Sequence, residues 1–146
     1  MNGEKQTKVP PLIKSICIPA FEFTEVAPLF ANLPEAKNDK DIHTMEHYDQ
    51  GFGSILYRTT LPEIPSRSLL TINEAHDYAQ IFLNGKYIGK LDRRNGEKQL
   101  TLPPSPKGTQ LDILVEAMGR INFGRAIKDY KGITQNVQLT IDMDGY

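Results

Sequence analysis

The first residues in this chain that could do chemistry are three histidines, His43, His47 and His76, and a scatter of carboxylates. His43 and His47 stand four apart, so a helix would aim both imidazoles at one cation. Thr44-Met45-Glu46 between them does not make the zinc-protease spacing, and the segment reads as a loop entering a strand. The pair is therefore read as solvated loop side chains, and no metal and no cofactor is assigned. Gly51-Phe52-Gly53-Ser54 misplaces the serine of a nucleophile elbow. Gly119-Arg120-Ile121-Asn122-Phe123-Gly124 lacks the glycine spacing and the Lys-Ser/Thr of a phosphate loop. Glycoside hydrolysis takes two carboxyls facing each other across a bond. Glu46, Asp49, Asp77, Asp92, Asp112, Glu116 and Asp129 supply carboxyls, but most fall in or near turns, where capping or solvation is expected.

One polar segment stands apart. The apolar stretch Leu111–Glu116 runs straight into Met118-Gly119-Arg120-Ile121-Asn122-Phe123-Gly124-Arg125, whose glycines permit a sharp turn or a close approach. Charges leaving a core strand need partners, so Arg58, Arg120, Asn122 and Asp129 are expected to form a buried polar network. With Asp77 and Glu116 they make up the candidate site. It reads either as a sugar-contacting rim or as an Arg–carboxylate scaffold pinning a loop to the fold, and the scaffold is preferred.

The elements that must position these residues are short. Glycine and proline recur along the whole chain, and apolar runs between them favour strands over helices. Leu12–Pro19 is expected as a first strand, with Cys17 buried in it as a small apolar group. Glu25–Leu33 is the best helical candidate, with Thr24 as N-cap and Pro28 in its first turn. Ser54–Leu61 alternates, Ile55, Tyr57 and Thr59 on one face and Leu56, Arg58 and Thr60 on the other; Ser68–Ile72 follows. Asn84-Gly85 between Tyr78–Leu83 and Lys86–Leu91 marks a hairpin, because a type I′ turn needs positive φ at both positions. Lys98–Leu102, Gln110–Glu116 and Val137–Met143 complete the set. Eight or so short strands predict an all-β fold, an antiparallel sandwich or jelly roll. Residues 1–11 are expected to lie outside it, disordered or vector-derived, and 12–146 to form one domain.

The bulk properties agree. A chain of 146 residues with 39% hydrophobic and 24% charged residues suits one soluble globular domain. Seventeen basic residues against 18 acidic ones build no field of one sign, which disfavours nucleic acid and membrane surfaces as partners. A single cysteine excludes an internal disulfide and a thiolate zinc cluster.

Four blocks carry a resemblance. Gly53-Ser54-Ile55-Leu56-Tyr57-Arg58-Thr59 resembles the G-x-x-L-Y-R-T strand of glycoside hydrolase family 35 β-galactosidases. Asp77-Tyr78-Ala79-Gln80-Ile81-Phe82-Leu83-Asn84-Gly85 is similar to their D-R-A-x-V-x-V-D-G hairpin. Leu114-Val115-Glu116-Ala117-Met118-Gly119-Arg120-Ile121-Asn122-Phe123-Gly124 is similar to L-V-E-N-M-G-R-x-N-Y-G, and Asp129-Tyr130-Lys131-Gly132-Ile133 to the D-x-K-G-I that follows. The blocks cover roughly Gln50–Leu139, with Tyr78 in place of arginine, Ala117 of asparagine and Phe123 of tyrosine.

The resemblance implies a domain of galactose-binding-like fold that follows a catalytic (β/α)8 barrel, with Leu12–Leu33 as lead-in. It implies that both catalytic glutamates lie on that barrel, so none of the glutamates here inherits their role and this chain is not itself an enzyme. The implied partner is the barrel of the same parent, a periplasmic, secreted or lysosomal β-galactosidase depending on the organism. The alternative is an independent module recognising galactosides, for which Tyr57, Tyr78, Tyr87 and Tyr130 are the available stacking platforms.

Overall fold

The computed structural model describes residues 8–125 and 127–141. The chain divides into two compact units, Met1–Pro34 and Glu35–Tyr146. In the first, the described residues hold no strand: Leu12–Pro19 forms no regular element, and Cys17 is exposed. Alternation made the segment look like a strand, but a strand needs a hydrogen-bonded neighbour and none forms here. The helix expected over Glu25–Leu33 is reduced to a 3₁₀ turn, Leu29–Ala31. Pro28 rather than Thr24 caps it, in an extended conformation (φ −59°, ψ 132°), and the Asn32 amide donates to the Pro28 carbonyl at 2.7 Å.

The second unit is an antiparallel all-β fold. Its strands are β1 (Ser54–Thr60), β2 (Ser68–Ile72), β3 (Ala75–His76), β4 (Tyr78–Leu83), β5 (Lys86–Asp92), β6 (Gln99–Leu102), β7 (Gln110–Glu116), β8 (Gly132–Ile133) and β9 (Val137–Thr140). One sheet runs β1-β7-β4-β5, a second β6-β2-β9, and β3 pairs with β8. Leu70, Ile72 and Leu102 of the second sheet share one buried cluster with Ala79, Ile81, Leu83, Leu91, Leu111, Ile113 and Val115 of the first, so the core lies between two layers. Each such side chain contributes roughly 1.5–3 kcal/mol by leaving water. Ile55 and Tyr57 of β1 pack against this cluster, which makes theirs the inward of the two faces.

The hairpin forms as its dipeptide predicts. Asn84 and Gly85 have φ of 47° and 76°, and Leu83 pairs with Lys86. A bulge follows: Ile81 opposes Gly89 while Phe82 opposes Tyr87, leaving Ile88 as the extra residue.

His43 and His47 do not enter a strand. They flank and join a 3₁₀ turn, Met45–Tyr48, preceded by an extended Thr44. Met45 is wholly buried and its N–H donates to the Lys131 carbonyl at 2.8 Å. The buried apolar side chain and its main-chain bond hold the turn against the end of β8. Among the described residues no helix is long and apolar enough to cross a membrane.

Candidate functional site

The β3–β4 corner and the approach to β8 build a dense polar cluster. At the corner, the Asp77 N–H donates to the Glu116 carbonyl at 3.0 Å, while the Asp77 carbonyl accepts from the Arg93 N–H at 3.0 Å. The His76–Asp77 peptide is cis. Asp92 caps the 3₁₀ turn Arg93–Asn95, accepting from the Arg94 N–H at 2.9 Å, and so sets where Arg93 starts. Pairing of Ala75 with Ile133 and His76 with Gly132 lays Lys131 and Asp129 alongside.

Lys131 is the centre of this cluster, at 1% exposure. Its ammonium donates to Asp77 Oδ2 and Asp129 Oδ2, both at 2.7 Å. Arg93 binds the same two carboxylates, Asp77 Oδ1 at 2.8 Å and Asp129 Oδ1 at 3.0 Å. The Met118 N–H adds a third donor to Asp77 at 2.9 Å. His76 Nδ1 lies 2.7 Å from the Tyr130 carbonyl and 3.3 Å from Asp129 Oδ1. A buried ammonium is costly unless paired and hydrogen-bonded, and here two carboxylates share it. Burial pushes the Asp77 and Asp129 carboxyls up, but the Lys131 and Arg93 cations outweigh it and hold both below the usual carboxylate range.

A second layer ties in the loop after β7. Arg120 Nε donates to the Gly51 carbonyl at 2.9 Å, and its guanidinium meets Glu46 Oε1 at 2.6 Å. Both Glu46 oxygens accept from the Lys131 N–H at 3.1 Å. Burial pushes the Glu46 carboxyl up, yet main-chain donors and Arg120 bring it below its ordinary value. Beneath them the Tyr57 hydroxyl donates to the His43 carbonyl at 2.7 Å and accepts from the Ile133 N–H at 3.0 Å. Burial pushes that phenol up to about 12. Gly132, at φ +91°, faces the same hydroxyl, and a Cβ built on it would overlap the Tyr57 oxygen.

The six candidate residues are thus separated into groups. Asp77 and Asp129 are joined through Lys131 and Arg93, and Arg120 reaches the pair through Glu46. Arg58 is not part of the network expected for it. Register pairs Ser54 with Glu116 but Arg58 with Asp112, placing Arg58 four residues further along β1, roughly 13 Å away. There it makes its own bidentate pair, Nε to Asp112 Oδ1 at 2.6 Å and Nη2 to Oδ2 at 3.2 Å, over a fully buried Asp112. Asn122 is exposed, and Glu116 contributes its main-chain carbonyl while its side chain faces solvent at the end of β7. Lys131 and Arg93 were not singled out from the sequence, and His76 and Asp112 were named only as one histidine and one carboxyl among several, not as members of these clusters. Lys and Asp seldom sit fully buried, and nothing in their local pattern marks them.

Between Arg93, Arg94, Met118, Arg120 and Asp129 opens a shallow depression of about 530 Å³. The Asp77 and Asp129 carboxylates come together at the Lys131 ammonium. The space between them is filled by Lys131, and donors occupy the oxygens of both. Neither is arranged to give a proton or attack a sugar. Of the four tyrosines offered as stacking platforms, Tyr57 is spent inside the fold and Lys90 lies over Tyr78, 5.6 Å from its ring centroid. Tyr87 and Tyr130 remain about half exposed.

Two antiparallel layers, closed at one corner by an ion cluster, define an all-β domain. The model of the first all-beta domain of beta-galactosidase matches residues 43–144, and the chain belongs to that family. It is 31% identical over 129 residues to the beta-galactosidase of Xanthomonas manihotis, covering 88% of this chain and 21% of that protein. It is 40% identical over 106 residues to the Bos taurus beta-galactosidase (68% and 16%), and 41% over 95 residues to that of Homo sapiens (62% and 14%). The chain therefore spans about a fifth or less of the curated relatives it matches.

Proposed function

We propose that this chain is the non-catalytic accessory β-sandwich of a family 35 β-galactosidase, packing on the catalytic barrel of its parent and supporting it in carbohydrate degradation. The observation that carries this reading is the match to a first all-β domain over a chain one fifth the length of its relatives. The engaged carboxylates support it, since Asp77 and Asp129 are committed to Lys131. On this reading Arg58, Asp77, Glu116, Arg120, Asn122 and Asp129 are scaffold rather than sugar ligands.

Phe52 and Phe123 are 86% and 90% exposed, and Met118, Ile121 and Ile127 are also open to solvent. The Arg120–Gly51 bond holds the Phe52 segment beside the loop that carries the others. Such exposed apolar side chains suit an interdomain contact. In the lead-in, Leu12 and Ile13 are almost fully exposed and suit the same use.

The test is turnover of a chromogenic β-galactoside by the isolated chain, by the parent's barrel alone, and by the two mixed. The isolated chain is expected to be inactive, and the mixture to form a complex more active or more heat-resistant than the barrel. Hydrolysis by the repurified chain overturns the non-catalytic reading; absence of a complex overturns the packing. Shifts at Tyr87 or Tyr130 in an NMR titration with millimolar galactose would instead favour an independent sugar-binding module.

A further inference from the structure

We propose that Asp39, His43 and His47 form a binding site for a divalent transition-metal ion of the zinc class. One donor atom from each residue lies within 4.8 Å of the other two. Asp39 Oδ2 stands 3.3 Å from His43 Nε2. Ligands about 2.0–2.1 Å from a tetrahedral zinc are themselves separated by roughly 3.3 Å, so this edge of the polyhedron already has its length. The imidazoles of His43 and His47 stack with centroids 3.8 Å apart and planes 6° from parallel, and a ring nitrogen of each lies in the same group as the Asp39 carboxylate oxygen. Imidazole lone pairs lie in the ring plane, so the two rings must turn out of this stack to converge on a shared ion.

The local structure supplies the placement that spacing alone left open. His43 precedes and His47 lies within the 3₁₀ turn Met45–Tyr48, which is anchored by buried Met45. The His43 main chain is fixed separately, through its carbonyl and the Tyr57 hydroxyl. Asp39 is oriented too: its Oδ1 accepts from the Lys40 N–H at 2.9 Å, which leaves Oδ2 turned toward His43. The nearby charged side chain of Lys37 rests over the Tyr48 ring, 5.1 Å from its centroid. Two imidazoles and one carboxylate suit zinc, nickel or copper better than calcium or magnesium, which take oxygen ligands. Because all three residues are at least partly exposed, water completes the coordination. The ion would staple the polar loop carrying Asp39 to the turn that abuts Lys131, independently of what the parent enzyme acts on.

The experiment is calorimetric titration of the untagged full chain with zinc chloride, followed by ¹H–¹⁵N spectra. One equivalent is expected to bind, with shifts centred on Asp39, His43, His47 and Tyr48 and a raised melting temperature. His43→Gln and His47→Gln are each expected to weaken binding at least tenfold, and Asp39→Asn several-fold. Zinc-free melts of the variants, expected to match the parent chain, separate lost ligation from lost folding. No binding up to millimolar zinc, or binding unchanged in the His43→Gln/His47→Gln double variant, overturns the proposal.

Discussion

Replacing Lys131 by methionine keeps most of the unbranched side chain and deletes its terminal charge at a position 1% exposed. Two carboxylates would lose the ammonium that each binds at 2.7 Å. They would not be stranded: Arg93 still reaches Asp77 at 2.8 Å and Asp129 at 3.0 Å, and the Met118 N–H still serves Asp77. Removing one member of a buried ion pair costs about 3–5 kcal/mol, and the remaining donors place this change near the lower end, at about 3 kcal/mol. A domain of this size has on the order of 5–15 kcal/mol to lose, so the variant should fold but melt roughly 10–15 °C lower. Urea unfolding followed by tyrosine fluorescence and far-ultraviolet dichroism reads the difference, the chain having no tryptophan. Adding Asp129→Asn to Lys131→Met should recover part of the loss, because one guanidinium then faces one carboxylate instead of two. A cost under about 1 kcal/mol, or strictly additive effects in the double-mutant cycle, would refute the reasoning.

Gly132→Ala should cost about 3 kcal/mol in the same assay, since φ +91° strains an alanine and its Cβ must displace the Tyr57 hydroxyl from two hydrogen bonds. Asp77 and Asp129 have folded-state pKa values below those of the unfolded chain, so their contribution is complete above the unfolded value, about 4. It disappears as pH falls through the folded values. The urea midpoint should therefore stay nearly level from pH 8 to 6 and drop between about pH 5 and 3, with a shallower drop in Asp129→Asn. A level midpoint down to pH 3 would contradict the ion-cluster account.

The hairpin and the alternating strands could be read directly because their signals are local. Asn84-Gly85 dictates its own φ values, and β2 and β4 each carry a period of two that one buried face enforces. The Leu12–Pro19 segment carries the same alternation without becoming a strand, because pairing is a property of the neighbour as much as of the segment. β3 and β8, two residues each, are too short to show any period at all. The candidate site was half readable. Asp77, Arg120 and Asp129 could be picked as charges next to apolar strands, and they do fall together. Lys131 could not, since its burial depends on β3 meeting β8 across more than fifty residues. Arg58 was misgrouped for a related reason: only the register of β1 on β7 shows that it faces Asp112 rather than the glycine-rich loop.

The sheet order bears on how such a chain emerges from the ribosome. β1 waits for β7, which pairs Ser54 with Glu116, and β2 waits for β9, which pairs Ile72 with Val137. At about 5–20 residues per second, each of these strands is out for several seconds with its sheet neighbour still unmade. Among the described strands only β4 and β5, joined by their hairpin, can close at once. Leu56, Tyr57, Leu69 and Leu70 are in reach of chaperones throughout that interval, and a nascent chain halted before β9 would leave β2 paired on one side only.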